Sequence, residues 1–381
     1  MNFTFSMIKR AIYDKIEATI GKNKVVIITG ARRVGKTHLL ENLMQHFNGK
    51  CVYLNGDLPE TKSIISEKNL NTYERLIGKS RLLLIDEAQL IPDIGRSLKI
   101  IIDNFKELTV IATGSSSFDL VNKTGEPLTG RQLHFKLFPI AQMELIEKES
   151  LDETMRNLDE RLIYGSYPEI FSIQEDTEKK NYLQEIASSY LLKDILLFEQ
   201  VRNSNKMLQL LQLVAYQVGS EISAEELGKQ LSLKRETVLR YLDLLSKIYV
   251  IYRVGAYSSN LRKEIVKSSK WYFVDNGIRN AVINNFSGLS SRNDIGALWE
   301  NYLMGERIKR NAYNRFNINS YFWRTYDRQE IDLIEEADGQ LNAFELKWKS
   351  DSAKVPIFFS KSYPKASFET VNRQNYLDFI T

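Results

Sequence analysis

A glycine-rich segment near the amino terminus limits the fold of this chain more than any other feature. Residues 30–37 read G-A-R-R-V-G-K-T, follow the apolar run Val25–Ile28 and precede a helix-like run over 38–44. Gly30 and Gly35 let the backbone curl so that successive N–H groups point at a polyphosphate, which also meets the positive end of the next helix. This order of strand, loop and helix predicts a P-loop in an α/β fold built on a parallel sheet.

The residue types in the loop match the chemistry of a bound nucleoside triphosphate. Lys36 is expected to reach the β- and γ-phosphates, and Thr37 to ligate Mg²⁺ through its hydroxyl. The other residues expected around the phosphates are Gly30, Ala31, Arg32, Arg33, Val34, Gly35 and His38. The sequence therefore predicts a nucleotide site with Mg²⁺ as its cofactor.

A second apolar run, over 81–85, ends in two carboxylates, Asp86 and Glu87. Asp86 is expected to hold Mg²⁺ through water, and Glu87 to polarise the water that attacks the γ-phosphate. The alternative is a solvated strand end followed by a helix cap. Because both motifs are present in the right order, we favour nucleotide binding and hydrolysis.

Two further segments supply candidate phosphate contacts. The apolar run 108–112 leads into Thr113–Ser117, so hydroxyl groups gather where ligands sit in open α/β sheets. Ser115 or Thr113 is expected to sense the γ-phosphate, although small polar residues also suit an ordinary turn. Arg131 is expected to contact phosphate within the chain or to reach a neighbouring subunit as an arginine finger; an ordinary surface arginine is the alternative.

Length and composition point to a protein of more than one domain. A chain of 381 residues exceeds what one hydrophobic core usually supports. One cysteine and three histidines leave no disulfide framework and no cysteine-histidine zinc site. The first residues lack the order of a signal peptide and no run approaches the length of a membrane span, so the cytoplasm is the expected location, with no membrane partner.

Positive charge is concentrated in the second half of the chain. Between Lys229 and Asp275 there are ten Lys and Arg against four Asp and Glu, in a chain whose net charge is only +4. The same stretch reads as a capped helix over 223–231, a turn with a second helix over 232–245, and a strand over 250–254. This order predicts a winged helix-turn-helix that binds DNA through Lys234, Arg235, Thr237 and Arg240. Winged helices also serve as structural or protein-binding modules.

The last hundred residues carry a different group of charged side chains. Asp332 precedes the sequence Glu345-x-Lys347 on what reads as the next strand, and Glu300 lies on a helix-like run over 296–310. Residues two apart on a strand share a face, so Glu345 and Lys347 point together and Asp332 can join them. Asp332, Glu345 and Glu300 would bind Mg²⁺ and Lys347 would orient a water, as in restriction-endonuclease-like proteins. A hairpin with one solvated face is the alternative.

The order of these parts resembles a large family of uncharacterised bacterial and archaeal AAA-type ATPases with a C-terminal domain of unknown function. The resemblance rests on the segments 28–37, 84–89, 113–116, 130–131, 167–169 and 344–347. It implies ATP as the nucleotide, and four regions: an AAA-like P-loop core over 1–157, a helical lid or connector over 158–204, a winged helix over 205–275 and a restriction-endonuclease-like α/β domain over 276–381.

The expected function is Mg²⁺-dependent ATP binding and hydrolysis that controls a nucleic-acid-facing C-terminal half. Two alternatives stay open. One is a regulatory P-loop switch that acts on a protein partner, and the other is an ATP-gated, metal-dependent nuclease. ATP and ADP, DNA, a second copy of the chain or another protein are the expected partners.

Overall fold

The computed structural model of the chain describes residues 8–115, 128–190, 204–257, 269–325, 329–349 and 352–381. They form two compact units. The first comprises Met1–Ile140 with Lys247–Tyr249, and the second comprises Ala141–Ser246 with Val250–Thr381. Each unit is built on its own sheet.

The first unit contains a five-stranded sheet in which every neighbouring pair of strands is parallel. The strand order is β2-β3-β4-β1-β5. The strands are β1 (Val25–Thr29), β2 (Cys51–Asn55), β3 (Leu82–Asp86), β4 (Thr109–Gly114) and β5 (Gln132–Lys136). Strands β1, β3 and β4 are buried at every position, which explains why they read as continuous apolar runs rather than as alternating ones. The predicted parallel α/β core is confirmed.

Helices flank the strands of the first unit. They are α1 (Tyr13–Glu17), α2 (Lys36–His46), α3 (Pro59–Ser66), α4 (Leu70–Ile77) and α5 (Ile94–Asn104), with a 3₁₀ turn at Ala88–Leu90. Helix α4 begins after Asn69, whose side chain accepts hydrogen bonds from two backbone N–H groups of the first turn. Tyr73 of α4 and Leu98 of α5 pack with Leu83 and Val110 of the sheet in one apolar core.

The second unit contains a mixed sheet of seven strands in the order β12-β11-β10-β9-β7-β8-β6. The strands are β6 (Glu221–Ile222), β7 (Ile251–Ala256), β8 (Ser269–Phe273), β9 (Asn319–Arg324), β10 (Glu330–Ala337), β11 (Gln340–Leu346) and β12 (Ser367–Val371). The pairs β7–β9 and β11–β12 are parallel, and the other neighbours are antiparallel.

The helices of the second unit fall before, between and after these strands. They are α6 (Gln142–Leu145), α7 (Leu151–Arg156), α8 (Leu158–Tyr164), α9 (Asp176–Glu185), α10 (Ser204–Tyr216), α11 (Ala224–Leu231), α12 (Arg235–Lys247), α13 (Asn276–Val282), α14 (Ile295–Asn314), α15 (Ile357–Ser362) and α16 (Tyr376–Ile380). Short turns of 3₁₀ or π type lie at Pro168–Phe171, Ile186–Tyr190 and Leu289–Ser291. Within the described part of the chain, every helix is too short or too polar to cross a bilayer.

The predicted boundaries after residues 157, 204 and 275 stay predictions. The first unit runs to Ile140 and also includes Lys247–Tyr249. Strand β7, from the predicted third region, pairs with β9 from the predicted fourth region, so these two regions share one sheet. A short hairpin has little stability alone and gains it by joining a larger sheet. Within the predicted helical connector over 158–204, residues 191–203 lie outside the described part of the chain.

Candidate functional site

The carboxyl ends of β1, β3 and β4 bring the predicted nucleotide residues together. Strand β4 pairs in parallel with both β1 and β3. The P-loop follows β1, Asp86 ends β3, and Thr113 is the last but one residue of β4. These ends lie along one edge of the sheet, which is where open α/β folds bind their ligands.

The P-loop turns sharply as it leaves β1. A Cβ atom at Gly30 would lie only 2.1 Å from the carbonyl oxygen of Leu137, so the loop requires glycine at this point. Arg33 and Gly35 both have left-handed backbone conformations, with φ of 64° and 95°. Gly35 is also the residue immediately before α2, and His38 lies in the first turn of that helix. The curl expected from the glycine spacing is therefore present.

The Lys36 side chain lies inside this curl. Its ammonium donates hydrogen bonds to the carbonyl oxygens of Gly30, at 2.9 Å, and of Ala31, at 2.8 Å. Lys36 is 5% exposed. The loop thus holds one buried positive charge against its own backbone, close to where α2 begins.

Asp86 is surrounded by hydroxyl groups. Thr37 Oγ1 donates to Asp86 Oδ2 at 2.7 Å, and the Tyr53 hydroxyl donates to the same oxygen at 3.3 Å. The Thr113 hydroxyl donates to Asp86 Oδ1. Burial and then the negative charge of Asp86 raise the pKa of Tyr53 to about 12, so Tyr53 keeps its proton at neutral pH. The predicted Mg²⁺ residues Thr37 and Asp86 are in direct contact.

Glu87 is fixed through both its backbone and its side chain. It has a left-handed backbone, with φ of 49°. Its N–H group donates to Thr113 Oγ1 at 3.1 Å and to Asp86 Oδ1 at 3.2 Å. Gln89 Nε2 donates to Glu87 Oε2 at 2.5 Å and to Ser115 Oγ at 3.2 Å. Gln89 therefore links the proposed phosphate sensor to the carboxylate of Glu87.

Arg131 lies at the amino ends of the strands, opposite to the ends that carry the P-loop. It immediately precedes β5, and its carbonyl oxygen accepts a hydrogen bond from the N–H of Val25, the first residue of β1. Its guanidinium is paired with Asp103. Because β1 and β5 run parallel, a strand length of roughly 16 Å separates these ends from the P-loop. This position gives no support to a phosphate contact within the chain, and both predicted roles of Arg131 stay predictions.

Three residues of this edge were not predicted as part of the site. Tyr53 and Gln89 contact Asp86 and Glu87 as described. Arg10 donates to the carbonyl oxygens of Val34 and Phe138, both at 2.7 Å, and so braces the P-loop. Because Gln89 follows Glu87 by only two residues, the sequence weakly indicated that Gln89 belongs to the site. Arg10 offered no such signal, because its partners are 24 and 128 residues away in the sequence.

The residues at this edge fit a magnesium-bound triphosphate. A threonine hydroxyl and a carboxylate are oxygen ligands of the kind that Mg²⁺ prefers, and Thr37 and Asp86 present theirs side by side. Lys36 supplies the positive charge and the start of α2 supplies backbone N–H groups.

The predicted C-terminal residues lie on neighbouring elements of the second unit. Glu300 is on α14, Asp332 on β10 and Glu345 on β11, with Lys347 just after β11. The register of β10 against β9 shifts between Ile331 and Ile334, so Asp332 lies in an irregular part of its strand.

These acidic side chains do not converge as metal ligands. Asp332 Oδ2 accepts a hydrogen bond from the N–H of Leu346 at 2.8 Å, and the Lys347 ammonium lies 2.5 Å from Glu345 Oε1. Lys270, on β8, places its ammonium 3.4 Å from Glu300 Oε1 and 3.9 Å from Asp332 Oδ1. Among the described residues no three Asp, Glu, His or Cys side chains are placed to hold a metal. The predicted Mg²⁺ site at Glu300, Asp332 and Glu345 therefore does not match this arrangement, because lysine ammonium groups take up the carboxylate oxygens.

Glu300 is expected to make the stability of the protein depend on pH. Burial, and then repulsion from Asp332, raise the pKa of Glu300 from 4.5 to about 7. The folded chain therefore holds this proton more tightly than the unfolded chain, and the resulting stabilisation is full below pH 4.5 and is lost as the pH rises through 7. In the wild type, Glu300 should make the free energy of unfolding fall between pH 5 and 8. Glu300→Gln should reduce this fall by up to about 3 kcal/mol. Urea unfolding at several pH values measures this, and parallel curves for the two proteins would contradict it.

The predicted DNA-binding residues lie just before α12 and in its first half. Ser223 caps α11 as predicted, its hydroxyl accepting from the N–H of Glu226 at 3.3 Å. Helix α12 buries Val238, Leu242 and Leu245. The side chains of Lys234, Arg235 and Arg240 are exposed and that of Thr237 is partly exposed.

Comparison with known proteins identifies the region that carries the P-loop. A family model described as "AAA domain" matches residues 22–146. The chain contains an AAA domain. Two further models, "Domain of unknown function (DUF8612)" and "Domain of unknown function (DUF4143)", match residues 155–289 and 295–374. The predicted combination of an AAA-type ATPase domain with a C-terminal domain of unknown function is confirmed.

Relatives of similar organisation occur in bacteria and archaea. An uncharacterized protein of Mycobacterium tuberculosis is 26% identical over 347 residues, which cover 89% of this chain and 74% of the relative. One from Methanocaldococcus jannaschii is 25% identical over 345 residues, covering 85% and 75%. A solved Walker-type ATPase of Pyrococcus abyssi is 14% identical, covers 71% of this chain and 94% of its own, and superposes with a TM-score of 0.48.

Proposed function

We propose that the AAA domain binds ATP with Mg²⁺ and hydrolyses it. The observation that carries this proposal is the contact of Thr37 Oγ1 with Asp86 Oδ2 at 2.7 Å, with Glu87 next in the chain and the Lys36 ammonium held in the adjoining loop. A threonine hydroxyl, a buried carboxylate, a second carboxylate and a buried lysine at one sheet edge are the groups that phosphoryl transfer to water requires.

Each residue has a distinct part in this proposal. The Lys36 ammonium leaves the carbonyl oxygens of Gly30 and Ala31 to bind the β- and γ-phosphates, while the N–H groups of the loop bind the oxygens of the chain of phosphates. Thr37 and Asp86 would hold Mg²⁺, which would supply positive charge beside the phosphate oxygens.

Glu87 completes the proposed chemistry. It accepts a proton from the attacking water, and Gln89 keeps its carboxylate in place. Ser115, joined to Glu87 through Gln89, responds to the γ-phosphate.

We also propose that the nucleotide controls binding of DNA by the second unit. Strand β6, helices α11 and α12 and the pair β7–β8 follow one another in the order of a winged helix. The exposed side chains of Lys234, just before α12, and of Arg235 and Arg240, in its first half, support this assignment. Control requires that ATP and ADP bind two conformations of the protein unequally, since a ligand shifts an equilibrium only by its difference in affinity.

Replacing Lys234 and Arg235 by Ala is expected to weaken DNA binding and to reduce its dependence on salt. Each lost phosphate contact should lower the slope of log K against log salt concentration by about 1. Fluorescence anisotropy of a labelled duplex between low and moderate salt measures both effects. Lys361→Ala, which removes an exposed positive charge from α15, is the control and should change neither. Equal slopes for the wild type and the double variant would contradict the assignment.

One experiment tests the combined function. ATP turnover is measured with and without single- and double-stranded DNA, while the DNA is monitored for cuts. Turnover that rises with DNA, and does so less at high salt, supports control of a DNA-binding half. A turnover rate that does not change when DNA is added points to a switch that acts on a protein. DNA cuts that require ATP and disappear in Asp332→Ala would establish an ATP-gated nuclease. Absence of turnover under all conditions would overturn the hydrolysis proposal.

A further inference from the structure

A buried lysine lies among the acidic side chains of the second unit. Lys270 is on β8, between β7 and β6, and its side chain is 2% exposed. Its ammonium is 2.5 Å from Glu330 Oε1, 3.4 Å from Glu300 Oε1 and 3.9 Å from Asp332 Oδ1. The three carboxylates come from α14 and β10, so the ammonium is the group that they share.

Other donors bind the same carboxylates. The Tyr272 hydroxyl donates to Glu300 Oε1 at 2.6 Å, and the N–H of Leu346 donates to Asp332 Oδ2. These contacts hold the carboxylates of Glu300 and Asp332 beside the Lys270 ammonium. A divalent cation needs several oxygens within about 2.0–2.6 Å of one point, and the shared position already contains a nitrogen atom.

The charge of Lys270 is stable in this position. Burial alone lowers the pKa of a lysine, but attraction to Glu300, Asp332 and Glu330 outweighs burial and raises the pKa of Lys270 above its usual value. The ammonium is therefore charged at neutral pH. A metal ion and this ammonium would repel one another, and both would need the same oxygens.

Removal of Lys270 from the cluster is also opposed by its surroundings. The ammonium lies 5.5 Å from the centroid of the Phe322 ring, and Ser269–Phe273 are all buried in the sheet. A lysine side chain anchored in an inner strand has little freedom to swing into solvent, and moving it would take the ammonium away from the buried carboxylates of Glu300 and Asp332.

We propose that Lys270 is the resident cation of this carboxylate cluster and occupies the position that a divalent metal bound by Glu300 and Asp332 would need. The cluster then binds no divalent cation. This inference does not depend on ATP hydrolysis by the AAA domain.

The test is the number of Mn²⁺ ions bound per chain, measured by electron paramagnetic resonance of the free ion in nucleotide-free protein. Wild type and Asp332→Asn are expected to bind the same number, because the Lys270 ammonium already lies between the carboxylates that a metal ion would need. Lys270→Met is expected to bind one Mn²⁺ more, and Lys270→Met with Asp332→Asn is expected to lose it again. Added Mn²⁺ should raise the Tm of Lys270→Met more than that of the wild type.

The matched control is Lys309→Met. Lys309 is another buried lysine, and its ammonium lies 2.6 Å from Glu306 Oε1. Lys309→Met should destabilise the chain without creating a Mn²⁺ site, because the ammonium that it removes lies outside the Lys270 cluster.

Two results would overturn the proposal. One is a wild-type chain that binds one Mn²⁺ more than Asp332→Asn, and the other is a folded Lys270→Met that gains no Mn²⁺. The comparison of the wild type with Asp332→Asn uses no Lys270 variant, so it tests the proposal even if Lys270→Met does not fold.

Discussion

Glu87→Gln is expected to bind ATP as tightly as the wild type and to hydrolyse it at least about 100-fold more slowly. The substitution keeps the shape of the side chain, while an amide cannot accept a proton from the attacking water. Gln89 Nε2, 2.5 Å from Glu87 Oε2, still has a carbonyl oxygen to which it can donate. The effect should therefore fall on the turnover number and not on the affinity for nucleotide.

Steady-state phosphate release gives the turnover number, and displacement of a fluorescent nucleotide gives the affinity. Glu107→Gln is a suitable control, because Glu107 is an exposed carboxylate of the same unit, 84% exposed, and its loss should leave both quantities unchanged. A Glu87→Gln chain that turns over ATP at the wild-type rate would show that another group, or water itself, takes the proton.

Lys36→Met is expected to weaken ATP binding by at least about 100-fold, which corresponds to the loss of one or two charge-assisted hydrogen bonds. Lys36 is the buried cation of the P-loop, and its ammonium lies within 2.9 Å of two loop carbonyl oxygens. A methionine of similar length fills the space but leaves the phosphates without this charge.

The measurement is the rise in Tm on adding ATP with Mg²⁺. A ligand at 100 times its Kd stabilises the folded state by about 2.7 kcal/mol, so the wild type should show a clear rise and Lys36→Met almost none. Lys50→Met, which removes an exposed positive charge from the same unit, should behave as the wild type. An equal rise in all three proteins would place the nucleotide elsewhere.

The sequence predicted the core of the AAA domain well, and for a local reason. Strands β1, β3 and β4 lie between other strands and are buried throughout, so each had to be a continuous apolar run that is visible without any partner. The P-loop was equally visible, since its glycines are required by close approach, as at Gly30 and Leu137, and by left-handed backbone, as at Gly35.

The sequence says less about where distant residues meet. Arg131 has the residue type of a phosphate ligand, but it lies before β5, at the opposite end of the strands from the P-loop. The winged-helix and C-terminal regions were predicted as separate domains, whereas β7 and β9 join them in one sheet. In both cases the deciding fact is a strand pairing, and no short pattern in the sequence records it.

The amino-acid sequence by itself determined the chemistry that is local: the turns and charges of the P-loop, the two carboxylates after β3, and the periodicity of the strands and helices. Tertiary structure alone decided which groups neutralise those charges. Asp86 receives its hydroxyl donors from residues 49, 33 and 27 positions away, and Lys270 meets carboxylates 30, 60 and 62 positions away. The physical reason is that a buried charge needs partners in space, and the fold supplies them from any part of the chain.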